Sequence, residues 1–196
     1  MAELRIGCLV MAAGSGSRFG RNKLEAVVDG KSLLRRSLEA VPAEEFAQVT
    51  VVTQYDAAAA LAEEFGFTVV RNDRPEDGLS RTVRLGTEAM AGCGAILYQV
   101  ADQPLLEQET VRRELEYFRT HPDHIVGLAH NGVRGNPCIF PRKFFPELMA
   151  LEGDVGGNVV IPSHPFALLL YETSAAELRD VDTVEALAAV QEDRQI

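Results

Sequence analysis

Cysteine is scarce in this chain: only Cys8, Cys93 and Cys138 occur among 196 residues. They are odd in number, far apart and in no CxxC pair, which excludes a disulfide framework or a zinc ribbon and fits a reduced, cytoplasmic setting. Cations are also few, 19 Lys and Arg against 29 Asp and Glu, for a net charge of -10. So acidic a chain lacks the basic face that non-specific phosphate neutralisation requires, which argues against a nucleic-acid partner. No apolar run reaches the length of a membrane span. The short run after Met1-Ala2-Glu3-Leu4-Arg5 breaks into glycines, unlike a signal peptide. Repeats, low-complexity tracts and long Pro, Gly or Ser linkers are missing too, so one domain is expected over residues 1–196.

What is present is an ordinary core, with 46% hydrophobic residues, organised as short apolar runs separated by helical spacing. Ile6 to Ala12 is continuously apolar and ends at Gly14, the pattern of a strand covered on both faces. Runs of the same kind lie at 49–52, 67–70, 95–100, 125–128 and 167–171. Between them, Leu33, Leu34, Leu38 and Val41 share a helical face, as do Leu61 with Phe65, and Val111, Leu115 and Phe118. This alternation predicts an α/β, Rossmann-like three-layer sandwich with a mostly parallel sheet. One antiparallel strand is expected at 138–140, after a turn spanning Gly132 to Pro137. Open sheets of this kind bind ligands beyond the carboxyl ends of their strands.

The charge is unevenly spread. Residues 1–36 carry seven cations against three anions, and the remaining 160 carry 12 against 26. The basic region contains Ala12-Ala13-Gly14-Ser15-Gly16-Ser17-Arg18-Phe19-Gly20-Arg21-Asn22-Lys23. Its glycines allow close backbone approach to a ligand, and consecutive free N–H groups form an anion-binding nest. The spacing GxGxxxG is neither the dinucleotide fingerprint nor a P-loop, and Asp56 is too distant to serve as a ribose-binding acid. Arg18, Arg21 and Lys23 are placed to meet a polyphosphate; a glycine-rich turn with solvated charges is the plainer alternative.

Two carboxylates fit a divalent cation. Asp102 follows strand 95–100 in Ala101-Asp102-Gln103-Pro104, where a hard oxygen ligand suits Mg2+ on phosphates. Asp182 lies in Arg179-Asp180-Val181-Asp182-Thr183. Each has a structural alternative: Asp102 capping a helix that starts near Glu107, and Asp182 capping the last helix. His121 and His124 lack a third ligand, His130 and His164 stand alone, and Cys138 reads as a small buried hydrophobe.

The segment from Met11 to Gly20, with Lys23 beyond it, resembles the LAAGxGxRxG…K signature of nucleotidyltransferases that transfer NMP from an NTP and release pyrophosphate. Asp102-Gln103-Pro104 and Asp180-Val181-Asp182-Thr183 are similar to the DQP and DxDTxED-like motifs of the MobA-like NTP-transferase family. Asn72 to Gly86, Arg134-Gly135-Asn136-Pro137 and Gly153-Asp154-Val155-Gly156-Gly157 resemble motifs of its molybdenum cofactor cytidylyltransferase branch. Ala12-Ala13-Gly14 is the form associated there with CTP. Ala101, Ser32 and Asn158 depart from the pattern; Asn158 stands where an arginine often follows.

The resemblance implies a Mg2+-dependent, nucleotide-diphospho-sugar transferase-like enzyme that moves CMP from CTP to the terminal phosphate of a molybdopterin-type cofactor. By the same resemblance, the amides of residues 13–17 hold the β- and γ-phosphates, together with Ala12, Ala13, Gly14, Ser15, Gly16 and Ser17. Arg18 and Lys23 neutralise charge on the leaving pyrophosphate and α-phosphate, and Asp102 and Asp182 hold the metal. Gly78 and Ser80 read the base; Gln103, Asn136, Pro137 and Asp154 face the acceptor. A molybdenum hydroxylase of the xanthine dehydrogenase type is the implied recipient. The alternatives are guanylyl transfer, nucleotidyl transfer to a sugar or polyol phosphate, and a non-catalytic cofactor carrier.

Overall fold

A computed structural model describes residues 4–14 and 22–193. Strand β1 (Ile6–Ala12) is covered on both sides: Ile6, Cys8, Val10 and Ala12 join one core cluster and Leu9 joins the other. A small hairpin, β2 (Val27–Val28) and β3 (Lys31–Ser32), precedes α1 (Leu33–Glu39), whose first turn is capped by Ser32 Oγ accepting the Arg35 N–H at 3.2 Å. There follow β4 (Gln48–Thr53), α2 (Asp56–Glu64), β5 (Thr68–Arg71), α3 (Leu79–Ala89), β6 (Ala95–Val100) and α4 (Gln108–Thr120). The chain then forms β7 (Ile125–His130), β8 (Val133–Pro141), α5 (Phe145–Met149), β9 (Leu168–Glu172) and α6 (Val184–Asp193). Each apolar run expected to be a strand is one, with ends shifted by a residue or two.

Seven strands form one sheet in the order β5-β4-β1-β6-β8-β7-β9, and only β8 runs against its neighbours. Leaving β1, the chain builds outward to β4 and β5, then returns through α3 to place β6 on the other side of β1. The carboxyl end of β1 is therefore the point where the strand order reverses, the usual crevice of an open α/β sheet. Apolar faces of α1, α2 and α4 cover one side through Leu34, Leu38, Ala58, Ala62, Val111, Leu115 and Phe118. On the other side lie α3 and α5, through Val83, Phe145 and Leu148. Val190 of α6 packs with Val28 and Leu33 over the small hairpin.

The antiparallel strand is longer than its sequence suggests. The turn is confined to Asn131 (φ 51°) and Gly132 (φ 76°), and pairing begins at His130 with Val133. Two consecutive residues at positive φ make the tight connection whose twist matches a hairpin, so residues 133–137 are strand rather than turn. The three cysteines are free and buried. Among the described residues, no helix is long and apolar enough to cross a membrane.

One core position is costly. Glu114 shares the buried face of α4 with Val111, Leu115 and Phe118, is fully buried, and neither carboxyl oxygen has a hydrogen-bond partner among the described residues. Burial pushes its pKa well above the usual carboxylate range. The folded state therefore keeps a proton that the unfolded chain sheds, and stability falls as pH rises from the ordinary glutamate value toward the raised one. Glu114→Met should stabilise the protein by about 1–3 kcal/mol, the cost of an unsatisfied buried polar group. Chemical denaturation should show a larger gain at about pH 8 than at about pH 5; a gain independent of pH would contradict the buried protonated carboxyl.

Candidate active site

At the crevice, the end of β1 is tied to the end of β4 by three consecutive side chains. Thr53 Oγ1 donates to Ala12 O at 2.9 Å, Gln54 Nε2 to Ala13 O at 2.7 Å, and Tyr55 Oη to Gly14 O at 2.9 Å. Three successive carbonyls of the loop are thus occupied on the β4 side. The rest of the basic loop, with Ser15, Gly16, Ser17, Arg18 and Arg21, lies outside the described residues. None of Thr53, Gln54 or Tyr55 stands out in the sequence. The signal for them is positional, because β4 is the strand beside β1.

The chain re-enters at Asn22, whose Oδ1 accepts the Leu24 N–H and opens a 3-10 turn, Lys23–Glu25. That turn aims Lys23 across the sheet end. Its Nζ lies 2.5 Å from Asp102 Oδ2 and 2.7 Å from Asp182 Oδ1. The side chains of Lys23 and Asp102 are each 16% exposed and that of Asp182 is 51% exposed. Burial draws the Lys23 ammonium pKa down, but the charges and hydrogen bonds of Asp102 and Asp182 outweigh it and hold the value above that of an ordinary lysine. The segments bearing the two acids are joined by Val181 N–H donating to Asp102 O at 2.9 Å. Neither acid caps a helix: Thr183 Oγ1 accepts the Ala186 N–H at the start of α6, and α4 begins at Gln108.

A third acid completes the cluster. Asp180 has its pKa raised to about 6, by burial first and then by the charges of Asp102 and Asp182, against the opposing effects of Gln103 and Lys23. Gln103 is buried and donates to Leu178 O at 3.2 Å, so it braces the Asp180 segment beneath the site. Asp102 Oδ1 is buried without a hydrogen-bond partner among the described residues. Asp102 and Asp182 are hard oxygen donors of the kind a divalent cation takes, but among the described residues no group of three or more His, Cys, Asp or Glu side chains is placed to hold a metal ion.

The other sequence-selected residues divide into two places. Gly78 (φ 84°) packs on Gly153, where an added Cβ would stand 2.5 Å from the Gly153 carbonyl, so this contact needs glycine. Asp154 Oδ1 accepts the Leu79 N–H at 3.2 Å and Gly153 O accepts the Ser80 N–H at 3.2 Å, closing the start of α3. Ser80 is fully buried with its Oγ donating to Asp77 O, so its hydroxyl serves the fold locally. Gly78, Ser80 and Asp154 therefore form one junction, although the sequence assigned them to different ligands. Asn136, followed by Pro137 on β8, lines a cavity of about 220 Å³ between α3 and the sheet, with Met11, Leu79, Val83, Val100 and Arg134 also on its walls. Cys138 is both buried and part of that wall.

The model of the MobA-like NTP transferase domain matches residues 8–167. The 2-C-methyl-D-erythritol 4-phosphate cytidylyltransferase of Dehalococcoides mccartyi is 30% identical over 118 residues, covering 57% of this chain and 52% of that protein. The bifunctional protein GlmU of Bifidobacterium animalis is 30% identical over 130 residues, 62% of this chain but 28% of that protein. This chain thus spans about half or less of the length of those relatives. The purine catabolism protein PucB of Bacillus subtilis is 24% identical over 190 residues, 89% of this chain and 90% of that protein. In fold, Rv0371c of Mycobacterium tuberculosis superposes with a TM-score of 0.79 at 24% identity, covering 98% of this chain and 100% of that one.

The cluster can be read by carboxyl titration followed by NMR. Asp180 should titrate at about 6 in the wild-type protein. Asp102→Asn should move that value down by removing a neighbouring negative charge, and Lys23→Met should move it up. An Asp180 that titrates in the usual carboxylate range and ignores both substitutions would refute the shared cluster.

Proposed function

Because the chain belongs to the MobA-like NTP transferase family, we propose that it transfers CMP from CTP to the terminal phosphate of a molybdopterin-type cofactor. An oxygen of that phosphate attacks the α-phosphorus of CTP, the bond from the α-phosphorus to the bridging oxygen breaks, and pyrophosphate leaves. The nucleophile is already ionised at neutral pH, so positioning and charge neutralisation do the work rather than a general base. The observation that carries this reading is the convergence of Lys23, Asp102 and Asp182 at the ends of β1 and β6, beside the loop at Ala12, Ala13 and Gly14. CTP is supported by the Ala12-Ala13-Gly14 form of the loop and by the cytidylyltransferase relative.

Lys23 lies where its charge can meet the α-phosphate and the departing pyrophosphate, and we assign Arg18 the same task on the loop. The amides of the loop that includes Ser15, Gly16 and Ser17 hold the β- and γ-phosphates. Asp102 and Asp182 would hold Mg2+, with the unpartnered Asp102 Oδ1 as a ready donor; when bound, the ion supplies further charge neutralisation on the triphosphate. The junction of Gly78 and Ser80 with Asp154 closes the base side, while Asn136 and Pro137 face the acceptor, above the bracing Gln103. The relative named for purine catabolism accords with a molybdenum hydroxylase of the xanthine dehydrogenase type as recipient. Three buried free cysteines suit a reducing cytoplasm.

The test is pyrophosphate release from each of the four NTPs, with molybdenum cofactor or methylerythritol phosphate as acceptor and Mg2+ present or chelated. Release should require CTP, molybdenum cofactor and Mg2+ together. Preference for GTP, or for the polyol phosphate, would overturn the assignment, and cofactor delivery without pyrophosphate release would leave a carrier. Lys23→Ala should lower turnover by about 100-fold, the scale of losing one preorganised donor; unchanged kinetics would remove Lys23 from the chemistry.

A further inference from the structure

The cavity between α3 and the sheet has walls of two kinds. Met11, Val83, Val100 and Phe140 give it an apolar side, while Arg134, Asn136 and Asn158 give it a polar one. At about 220 Å³ it is smaller than the ~300–1,000 Å³ of pockets that enclose a whole ligand, so it has room for one end of a molecule. It also lies at the reacting end of the sheet. Cys138 of β8 pairs with Tyr98 of antiparallel β6, so moving four residues back along β8 to Arg134 and four forward to Asp102 leads to the same edge.

Arg134 lines this cavity without a carboxylate partner among the described residues. Arg35, Arg71, Arg81, Arg112 and Arg119 each reach a carboxylate. Arg134 instead uses one nitrogen, Nη1, on two neutral groups, Gly135 O and Cys138 Sγ, each at 3.2 Å. Among the described residues no carboxylate pairs with it, and Nη2 and Nε have no partner. Its stem crosses Gly127, where an added Cβ would stand 3.3 Å from Arg134 Cγ, so the small residue leaves its path clear. A half-buried guanidinium against an apolar wall, with most of its planar donor fork unspent, is matched by an anion that accepts two parallel N–H bonds, a carboxylate or a phosphate, and the transfer reading above supplies the phosphate.

We propose that Arg134 binds the phosphate of the acceptor while the apolar wall of the same cavity receives the acceptor's flat ring, which makes Arg134 the residue that selects an anionic, ring-bearing acceptor. This rests on the nucleotidyl-transfer reading above and adds the residue that would grip and select the acceptor.

Initial rates of pyrophosphate release, measured with the full chain against CTP and against a pterin carrying a phosphate monoester, separate the two substrates. Arg134→Ala should raise the acceptor KM by at least about 30-fold, the scale for truncating one partner of a desolvated charge pair, with the CTP KM changed by less than about twofold. Arg134→Lys should recover part of the loss, because it keeps the charge without the fork. No change, or an equal rise in both KM values, would overturn the proposal. If the wild-type protein releases no pyrophosphate with any acceptor, nucleotidyl transfer itself fails, and direct binding of the phosphorylated pterin, followed by its fluorescence, decides Arg134. Binding by the wild type that is lost in Arg134→Ala upholds the assignment; equal binding by both, or none by the wild type, ends it.

Discussion

An ammonium group with carboxylate oxygens at 2.5 and 2.7 Å joins three segments that are far apart in the chain. Lys23 follows the loop after β1, Asp102 follows β6, and Asp182 precedes α6. The site is therefore assembled only when the last segment has returned across the sheet, and Val181 N–H on Asp102 O fixes that return in the backbone. The charges do not cancel. One ammonium faces Asp102, Asp182 and the nearby Asp180, so the cluster has an excess of negative charge within a partly desolvated space, where Coulomb terms are poorly screened. Such a cluster is poised for more positive charge, which a chain of net charge -10 does not itself supply there.

The sheet supplies the geometry that this cluster needs. With β4 on one side of β1 and β6 on the other, the loops from three strands meet at one edge. Reversal of β8 brings the start of that strand, rather than its end, to the same edge. Arg134 and Asn136 thereby join a crevice otherwise lined by post-strand loops. The two-residue turn at Asn131 and Gly132 makes this reversal obligatory, since so short a link can join only antiparallel neighbours.

Much of this was legible in the residues themselves. Continuous apolar runs mark strands buried on both faces, and the helical spacing of Val111, Leu115 and Phe118 marks the buried stripe of α4, because burial is periodic and apolar side chains record it. Glu114 escaped that reading because a carboxyl on the buried stripe contradicts the pattern it occupies. Lys23, Asp102 and Asp182 were selected separately, and the fold brings all three together. The resemblance had already put Asp102 and Asp182 on one metal; their shared ion pair with Lys23, which precedes them by 79 and 159 residues, was not legible. Thr53, Gln54 and Tyr55 were missed for a different reason. Their hydrogen bonds go to backbone carbonyls, which any residue presents, so no residue type at the partner positions betrays them. Ser80 and Asp154 illustrate the converse, in which polar residues within recognisable motifs spend their hydrogen bonds on closing a helix start.

The comb of donors from β4 to the first loop also sets a mechanical tolerance. Thr53 stands opposite Ala12 in the parallel register, and Gln54 and Tyr55 continue the match one residue at a time. A slip of a single position between these strands would exchange every donor's partner and turn alternate side chains to the opposite face. The entrance to the loop after β1 is therefore gauged by strand alignment deep in the core, where Val51, Val52, Leu9 and Val10 are fully buried. Core packing at these positions is in effect the calibration of the loop, so substitutions that merely loosen the β1–β4 seam would detune ligand binding before they unfold the protein.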